Sequence, residues 1–503
     1  MMEANMKYPK ASTTNEHEQV VVNDNYFDEE NTDEGAVKKI LNAMLMIIMY
    51  YDSIRWGQIH DTLNDGIVGK KVPAKDCYRI GFINHLKRFA KEQNFLFAKD
   101  GNNLYVYSGE YWINITEELM KDFLHKATSK MGIPDSLSNC VKFIKSVYEQ
   151  LSESGFYEKM IQSNTTYLNL LNGTLKIDAN GAKSINFNPK HFLTHQLDFA
   201  FDTSAINPMW LEFLNMAIPD KDTQKTLQQS IAYLFIRDLK LELVFFLYGI
   251  GANGKSVIFE VIKGLLAPEM MSYYSLVHLT NKLGYQVADL HNRLINYGSD
   301  ASLKNIDPAV FKQLASGEPI GTRQIREKSF TMKNYAKMIF NVNKLDDGDV
   351  ENTHGFFRRI LCIPFEVIIP DELQDKNFHK KLLENKAGIL NWIVEGVEEV
   401  IANEEVFMSE KCKNFLDNFK KEASPIQLFL EDSNLVTTPV GDNEIIDFQQ
   451  VYEIYREFCK KQGEKVIAQR NLNADLKRLG FERTRRKQGN VWFAKIKSHT
   501  DAY

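Results

Sequence analysis

Gly249-Ile250-Gly251-Ala252-Asn253-Gly254-Lys255-Ser256 constrains this chain more than any other stretch. The octapeptide fits GxxxxGK[ST]. It follows the apolar run Leu241 to Tyr248, which suits a buried strand, and leads at once into a helical stretch from Val257 to Leu266. Strand, glycine-rich turn and helix is the setting in which such a loop curls its backbone N–H groups around phosphate oxygens. The glycines permit the curl, and the helix N-terminus adds positive partial charge where the phosphates would sit. Lys255 is then placed to reach the β- and γ-phosphates and Ser256 to ligate Mg²⁺. ATP with Mg²⁺ is the expected ligand, bound by Gly249, Gly251, Ala252, Asn253, Gly254, Lys255, Ser256 and Val257.

A phosphate loop alone does not name a function, so the polar residues downstream decide the class. Strand and helix patterns alternate from Leu241 to Phe365, as in an α/β domain. Arg293 to Asp300 reads as a short strand ending in an acid. Asp300 suits Mg²⁺ binding or polarisation of the attacking water; the plain alternative is a solvated loop aspartate. Lys337 to Asn341 is another short strand, and Asn341 at its end can orient water or merely make a turn. Arg358 and Arg359 stand just before the strand Leu361 to Phe365. Either could be an arginine finger for a phosphate on a neighbouring subunit, or a salt-bridge residue. Between these lies Phe311 to Thr331, with Lys312 followed by an alternating stretch bearing Arg323, Arg326 and Lys328. A hairpin with a basic tip is expected there, able to grip a nucleic-acid backbone.

The formal charge of the 503 residues is −5, which excludes a protein that is basic throughout but leaves room for a local basic patch. Residues 460–497 are such a patch: twelve basic against three acidic residues. Phe448 to Gln462 and Arg470 to Leu479 read as helices, followed by a hairpin turning at Gln488-Gly489-Asn490. Helix, helix and hairpin is the pattern of a winged helix, with Arg483, Arg485, Arg486 and Lys487 on the wing as expected DNA contacts. A protein-docking face is the alternative use of that charge.

The five cysteines are scattered, which fits a reducing compartment, and no apolar run approaches the roughly 20 residues of a membrane span. The reading is a cytoplasmic protein without a membrane partner. Five regions are expected. Residues 1–35 form a disordered acidic tail, and 36–225 an α+β N-terminal region, mainly helical. Residues 226–370 form the ATPase core, 371–440 a helical lid and linker, and 441–503 the basic winged-helix domain.

The order of loop, Asp300, basic hairpin, Asn341 and Arg358-Arg359, packed into the 111 residues from Gly249 to Arg359, resembles a superfamily 3 helicase. It is most similar to the poxvirus and phage/plasmid primase-helicase family, and Leu168 to Leu175, Phe192 to Thr194 and Pro208 to Leu214 look like that family's N-terminal module. The resemblance implies an AAA+-like P-loop core and a homo-oligomeric ring, a hexamer, with ATP between subunits. It further implies translocation on single-stranded DNA, 3′ to 5′, for replication of a phage, plasmid or other mobile element. By the same resemblance Lys255 and Ser256 bind ATP·Mg²⁺, Asp300 is the second acidic motif, Asn341 the sensor, and Arg358 or Arg359 the finger in trans. Relatives often carry an acidic pair where Ser299-Asp300 offers one acid, so the general base stays open. Relatives are also often fused to a primase. No carboxylate set of that kind precedes residue 160, so a separate primase or polymerase is the expected partner. An ATP-regulated origin-binding initiator, or a ring ATPase that remodels DNA without processive unwinding, is the alternative.

Overall fold

The computed structural model describes residues 32–48, 54–67, 71–159, 164–281, 285–299, 303, 306–323, 329–333, 335–343, 353–422, 425–440, 444–462, 466–486 and 489–496. The chain divides into two units, residues 1–160 and 161–503, so the division falls inside the stretch 36–225 read above as one region.

The first unit packs helices Asp33–Ile48, Ala74–Glu92, Glu117–Lys130 and Val141–Glu153 on a four-stranded sheet. The sheet order is Trp112–Ile115, Asn103–Tyr107, Phe97–Asp100, Glu158–Lys159. Its first two strands form a hairpin around Gly109, with Val106 opposite Ile113. Helix Glu117–Lys130 starts where Thr116 accepts a hydrogen bond from the Leu119 amide, an N-cap that satisfies one orphan donor.

The second unit opens with an antiparallel sheet, Thr166–Leu170, Gly173–Asp178 and Gly181–Ile185. The first two strands form a hairpin, with Leu170 opposite Gly173. The third, Gly-Ala-Lys-Ser-Ile, has too little apolar alternation to stand out in sequence. Among the described residues before 225, helix outweighs strand, with two sheets beside the helices. Helices α1 (Pro208–Ala217) and α2 (Lys221–Leu234) follow.

Five parallel strands form the centre: β1 (Val244–Tyr248), β2 (Met271–Ser272), β3 (Ile295–Gly298), β6 (Lys337–Val342) and β7 (Ile360–Pro364). A hairpin of β4 (Ile320–Thr322) and β5 (Phe330–Met332) stands between β3 and β6 in sequence. The sheet order is β7-β1-β6-β3-β2, with every pairing parallel. Such a sheet is covered on both faces, and alternate residues of one strand serve different cores. Phe245 and Leu247 join one cluster with Leu361 and Ile363, packed by α2, α3 (Lys255–Leu265) and α5 (Lys386–Asn403). Val244 and Phe246 join the other with Phe340, Cys362 and Phe311 of α4 (Pro308–Ala315). Burying each of these side chains contributes about 1.5–3 kcal/mol. β1 begins three residues later than its apolar run because Glu242 sits in the left-handed region at φ +58°, which ends extended backbone.

The last cluster gathers Ile426, Phe429, Tyr455, Phe458, Leu472, Leu476 and Trp492, so it includes residues ahead of 441. Its order is helix Pro425–Asp432, strand Leu435–Thr437, strand Ile446–Asp447, helices Phe448–Gln462 and Gln469–Arg478, then strands Arg483–Arg486, Gly489–Trp492 and Ala494–Ile496. Arg485 pairs with Asn490 and Arg486 with Gly489, so Gly489 and Asn490, expected in the turn, belong to the strand. Trp492, close to the basic run in sequence, is a core residue packed near Phe448 and Phe481.

Buried Asn207 ties two distant pieces of this unit. Its Oδ1 accepts from the Trp210 amide at 3.0 Å, capping α1, while Nδ2 donates to the carbonyls of Leu382 at 2.8 Å and Asn385 at 3.1 Å. Asn207→Ala removes the cap and strands two carbonyls, a loss of about 2–4 kcal/mol. A urea midpoint equal to the parent's would refute that bridge.

Candidate functional site

The glycine loop leaves the carboxyl end of β1, where ligands of open parallel sheets are held. Gly251, Ala252 and Gly254 have φ of +118°, +49° and +90°, and successive inversions of this kind turn N–H groups toward one side. Gly249 has no room for a side chain, since a Cβ would lie 1.9 Å from Asn253 Nδ2 and 2.5 Å from the Phe365 carbonyl. At Gly254 a Cβ would meet the Phe213 ring of α1 at 2.9 Å. Two long-range backbone bonds brace the loop: Gly249 N–H to Val342 O at 3.1 Å and Ile369 N–H to Ala252 O at 2.8 Å.

Lys255 is 5% exposed. Its Nζ donates to the Gly249 carbonyl at 2.5 Å and to Asn253 Oδ1 at 2.9 Å, and Asn253 Nδ2 donates in turn to Phe365 O at 3.1 Å. Gly254, the N-cap of α3, provides no side-chain cap. The first turn of that helix carries the exposed Ser256 and half-buried Val257. A helix start without a side-chain cap, an exposed hydroxyl and a lysine on the same loop are the donor set that a polyphosphate with a hard cation requires.

Asn341 is brought to the same edge. It lies one residue from the end of β6, directly beside Leu247 of β1. Tyr297 on β3 donates its hydroxyl to Asn341 Oδ1 at 3.0 Å. Burial pushes that phenol well above its ordinary range, so it stays a donor. The amide is thereby turned with Nδ2 left to donate. Tyr297 carries no motif signal, because only the pairing of β3 with β6 brings it to Asn341. Strand β3 ends at Gly298, with Ser299 exposed beyond it. Asp300 lies outside the described residues.

The two arginines differ sharply. Arg359, with a side chain 10% exposed, reaches Ser316 Oγ through Nε at 3.2 Å and Nη2 at 2.9 Å, and donates also to the Gly355 carbonyl. Its Nη2 lies 2.9 Å from Glu242 Oε2. Arg358 is 51% exposed and meets that same oxygen at 2.9 Å. Arg359 is therefore an internal bracket, which counts against it as a finger, and Arg358 is the arginine presented at the surface. Glu242 and Ser316 were not singled out from sequence.

Of the expected DNA contacts, Lys312 is half-buried on α4. Arg323 follows β4, exposed, and donates to the Tyr285 hydroxyl at 3.0 Å. Arg483 is exposed at the start of its strand, and Arg485 and Arg486 continue it, an edge of the three-stranded sheet. Arg326, Lys328 and Lys487 lie outside the described residues, as do 1–31 of the acidic tail.

Residues 82–219 match the family described as D5 N terminal like. The chain therefore carries a segment of the primase-helicase N-terminal type. Residues 247–359 match a family of unknown function, DUF5906, a span that opens just before Gly249 and closes on Arg359. No curated protein matches. Among solved structures, the A form apo structure of the NrS-1 C-terminal region is similar at 14% identity and a TM-score of 0.45, covering 81% of this chain and 98% of that one. Another apo structure of that region gives 13% and 0.44, covering 82% and 98%. Likeness at that level carries no activity across. Among the described residues no helix is long and apolar enough to cross a membrane.

Gly249→Ala must displace the Asn253 amide, and with it the contacts to Phe365 and Lys255. The cost of such overpacking is about 1–3 kcal/mol, seen as a lower calorimetric melting temperature. An unchanged melt would mean the loop can relax.

Proposed function

We propose that this chain is an ATP-dependent DNA helicase of the superfamily 3 kind, working as a homo-oligomeric ring in the replication of a phage, plasmid or other mobile element. The observation that carries the reading is the juxtaposition of the Lys255 loop and Asn341 at the carboxyl ends of the strands, with the arginine pair at their opposite ends, where it can face a neighbouring copy. The Lys255 loop leaves β1, Asn341 stands on the next strand, and the arginine pair precedes the strand on β1's other side. The D5 N-terminal-like segment supports the same reading.

ATP with Mg²⁺ supplies the phosphoanhydride whose cleavage drives the motor. The loop N–H groups and the start of α3 bind and orient the phosphates. Lys255 exchanges its carbonyl and amide partners for phosphate oxygens, and the Ser256 hydroxyl serves the cation. Asn341, oriented by Tyr297, holds the attacking water through Nδ2. Asp300 completes the acidic side. Arg358 stabilises charge at the site of the neighbouring copy, a role worth about 10³–10⁵ in kcat. The basic hairpin of Arg323, Arg326 and Lys328 lines the path of single-stranded DNA.

The helix, strand, two-helix and hairpin order at the C-terminus supports a winged helix, whose basic edge strand binds duplex. That unit also favours the second reading, an initiator whose ATP controls assembly, with slow turnover.

Forked-DNA unwinding separates the two. The parent is expected to part the strands with ATP, and Lys255→Ala to abolish both unwinding and ATPase. DNA-stimulated hydrolysis without strand separation would favour the initiator or remodelling ATPase, and no hydrolysis in the parent would overturn the assignment. Arg483→Ala is expected to weaken duplex binding uniformly across sequences and to reduce the salt slope of log K by about 1. An unchanged slope would remove this strand from the interface.

A further inference from the structure

Glu242 belongs to no motif, yet both arginines converge on one of its oxygens. Arg358 Nη2 and Arg359 Nη2 each lie 2.9 Å from Oε2. The backbone that presents this carboxylate is a defined bend. Glu242 has φ +58°, a conformation non-glycine residues rarely adopt. The bend is pinned on both sides, by Leu241 N–H donating to the Tyr233 hydroxyl at 2.9 Å and Val244 N–H donating to the Arg359 carbonyl at 2.8 Å.

The two arms of the carboxylate are unequal. Arg359 is held by Ser316 and the Gly355 carbonyl as well as by Glu242, so it anchors the carboxylate. Arg358 is half-exposed, and among the described residues its hydrogen bond and ion pair go to Glu242. An exposed ion pair adds little to stability, but it does restrict a long side chain to fewer rotamers. A finger acts through position, and loss of orientation is costly in rate even when binding persists.

We propose that Glu242 is the positioning residue of the Arg358 finger, holding the guanidinium at the subunit surface for the ATP site of a neighbouring copy. This rests on the ring reading above. Glu242 thus serves the neighbour's hydrolysis and not that of its own loop, although it stands two residues before β1.

The test uses the full chain and DNA-stimulated ATPase. Glu242→Gln is expected to lower kcat between about 10- and 100-fold, with KM for ATP and binding of a fluorescent ATP analogue unchanged. Mixed with an excess of Lys255→Ala subunits, it is expected to regain activity. At mixed interfaces an intact Lys255 then meets an Arg358 held by an intact Glu242. Arg358→Ala mixed with Lys255→Ala is the control and should recover likewise. Parent-like turnover by Glu242→Gln alone overturns the proposal. So does failure to recover where the Arg358→Ala mixture recovers, since Glu242 would then act within its own subunit. Failure of both mixtures, with Lys255→Ala still inactive alone, overturns the trans finger itself and the role of Glu242 with it.

Discussion

Strand Val244–Tyr248 is hydrogen-bonded along both edges and buried on both faces, and the candidate site hangs from it. Its neighbours are Ile360–Pro364 on one side and Lys337–Val342 on the other. Its side chains alternate between two separate cores. A strand held in four directions cannot slip register without exposing one core. Gly249 therefore emerges at a fixed point, one residue past the strand and within hydrogen-bonding reach of Val342.

From that point the loop is shaped by exclusion as much as by bonding. Gly249 is closed in by Asn253 and Phe365, and Gly254 by Phe213. The backbone thus reaches the helix start through left-handed conformations that leave its N–H groups on one side. Lys255 lies folded against the same loop, its charge satisfied by a carbonyl and an amide oxygen. Those neutral partners are weaker acceptors for an ammonium than phosphate oxygens, which makes the exchange favourable.

The opposite ends of the strands hold a different kind of chemistry. There Arg358, Glu242, Arg359 and Ser316 form one connected chain, and Ser316 leads through Gly317 into the hairpin that bears Arg323. A surface arginine and the root of a basic hairpin are joined by polar contacts within one subunit. The network is mostly fixed at Arg359 and open at Arg358.

Much of this was legible in the sequence because it is local. The glycine loop encodes much of its own conformation, since Gly249 and Gly254 leave no room for a Cβ, and the apolar strand and helix around it are periodic signals. Helices such as Glu117–Lys130 and Phe448–Gln462 carry amphipathic patterns that match their observed bounds. What tertiary structure decided depends on residues distant in the chain. Glu242 and Arg358 stand 116 positions apart, and Tyr297 and Asn341 44 apart. No spacing rule links them; strand order in the sheet does. The same holds for Trp492, whose ring belongs to the core and not to the basic face beside it in sequence. Sequence determined which side chains could do the chemistry, because residue type and local backbone are written there. The fold decided which of two adjacent arginines is buried as a bracket and which is presented, because burial is set by packing between elements.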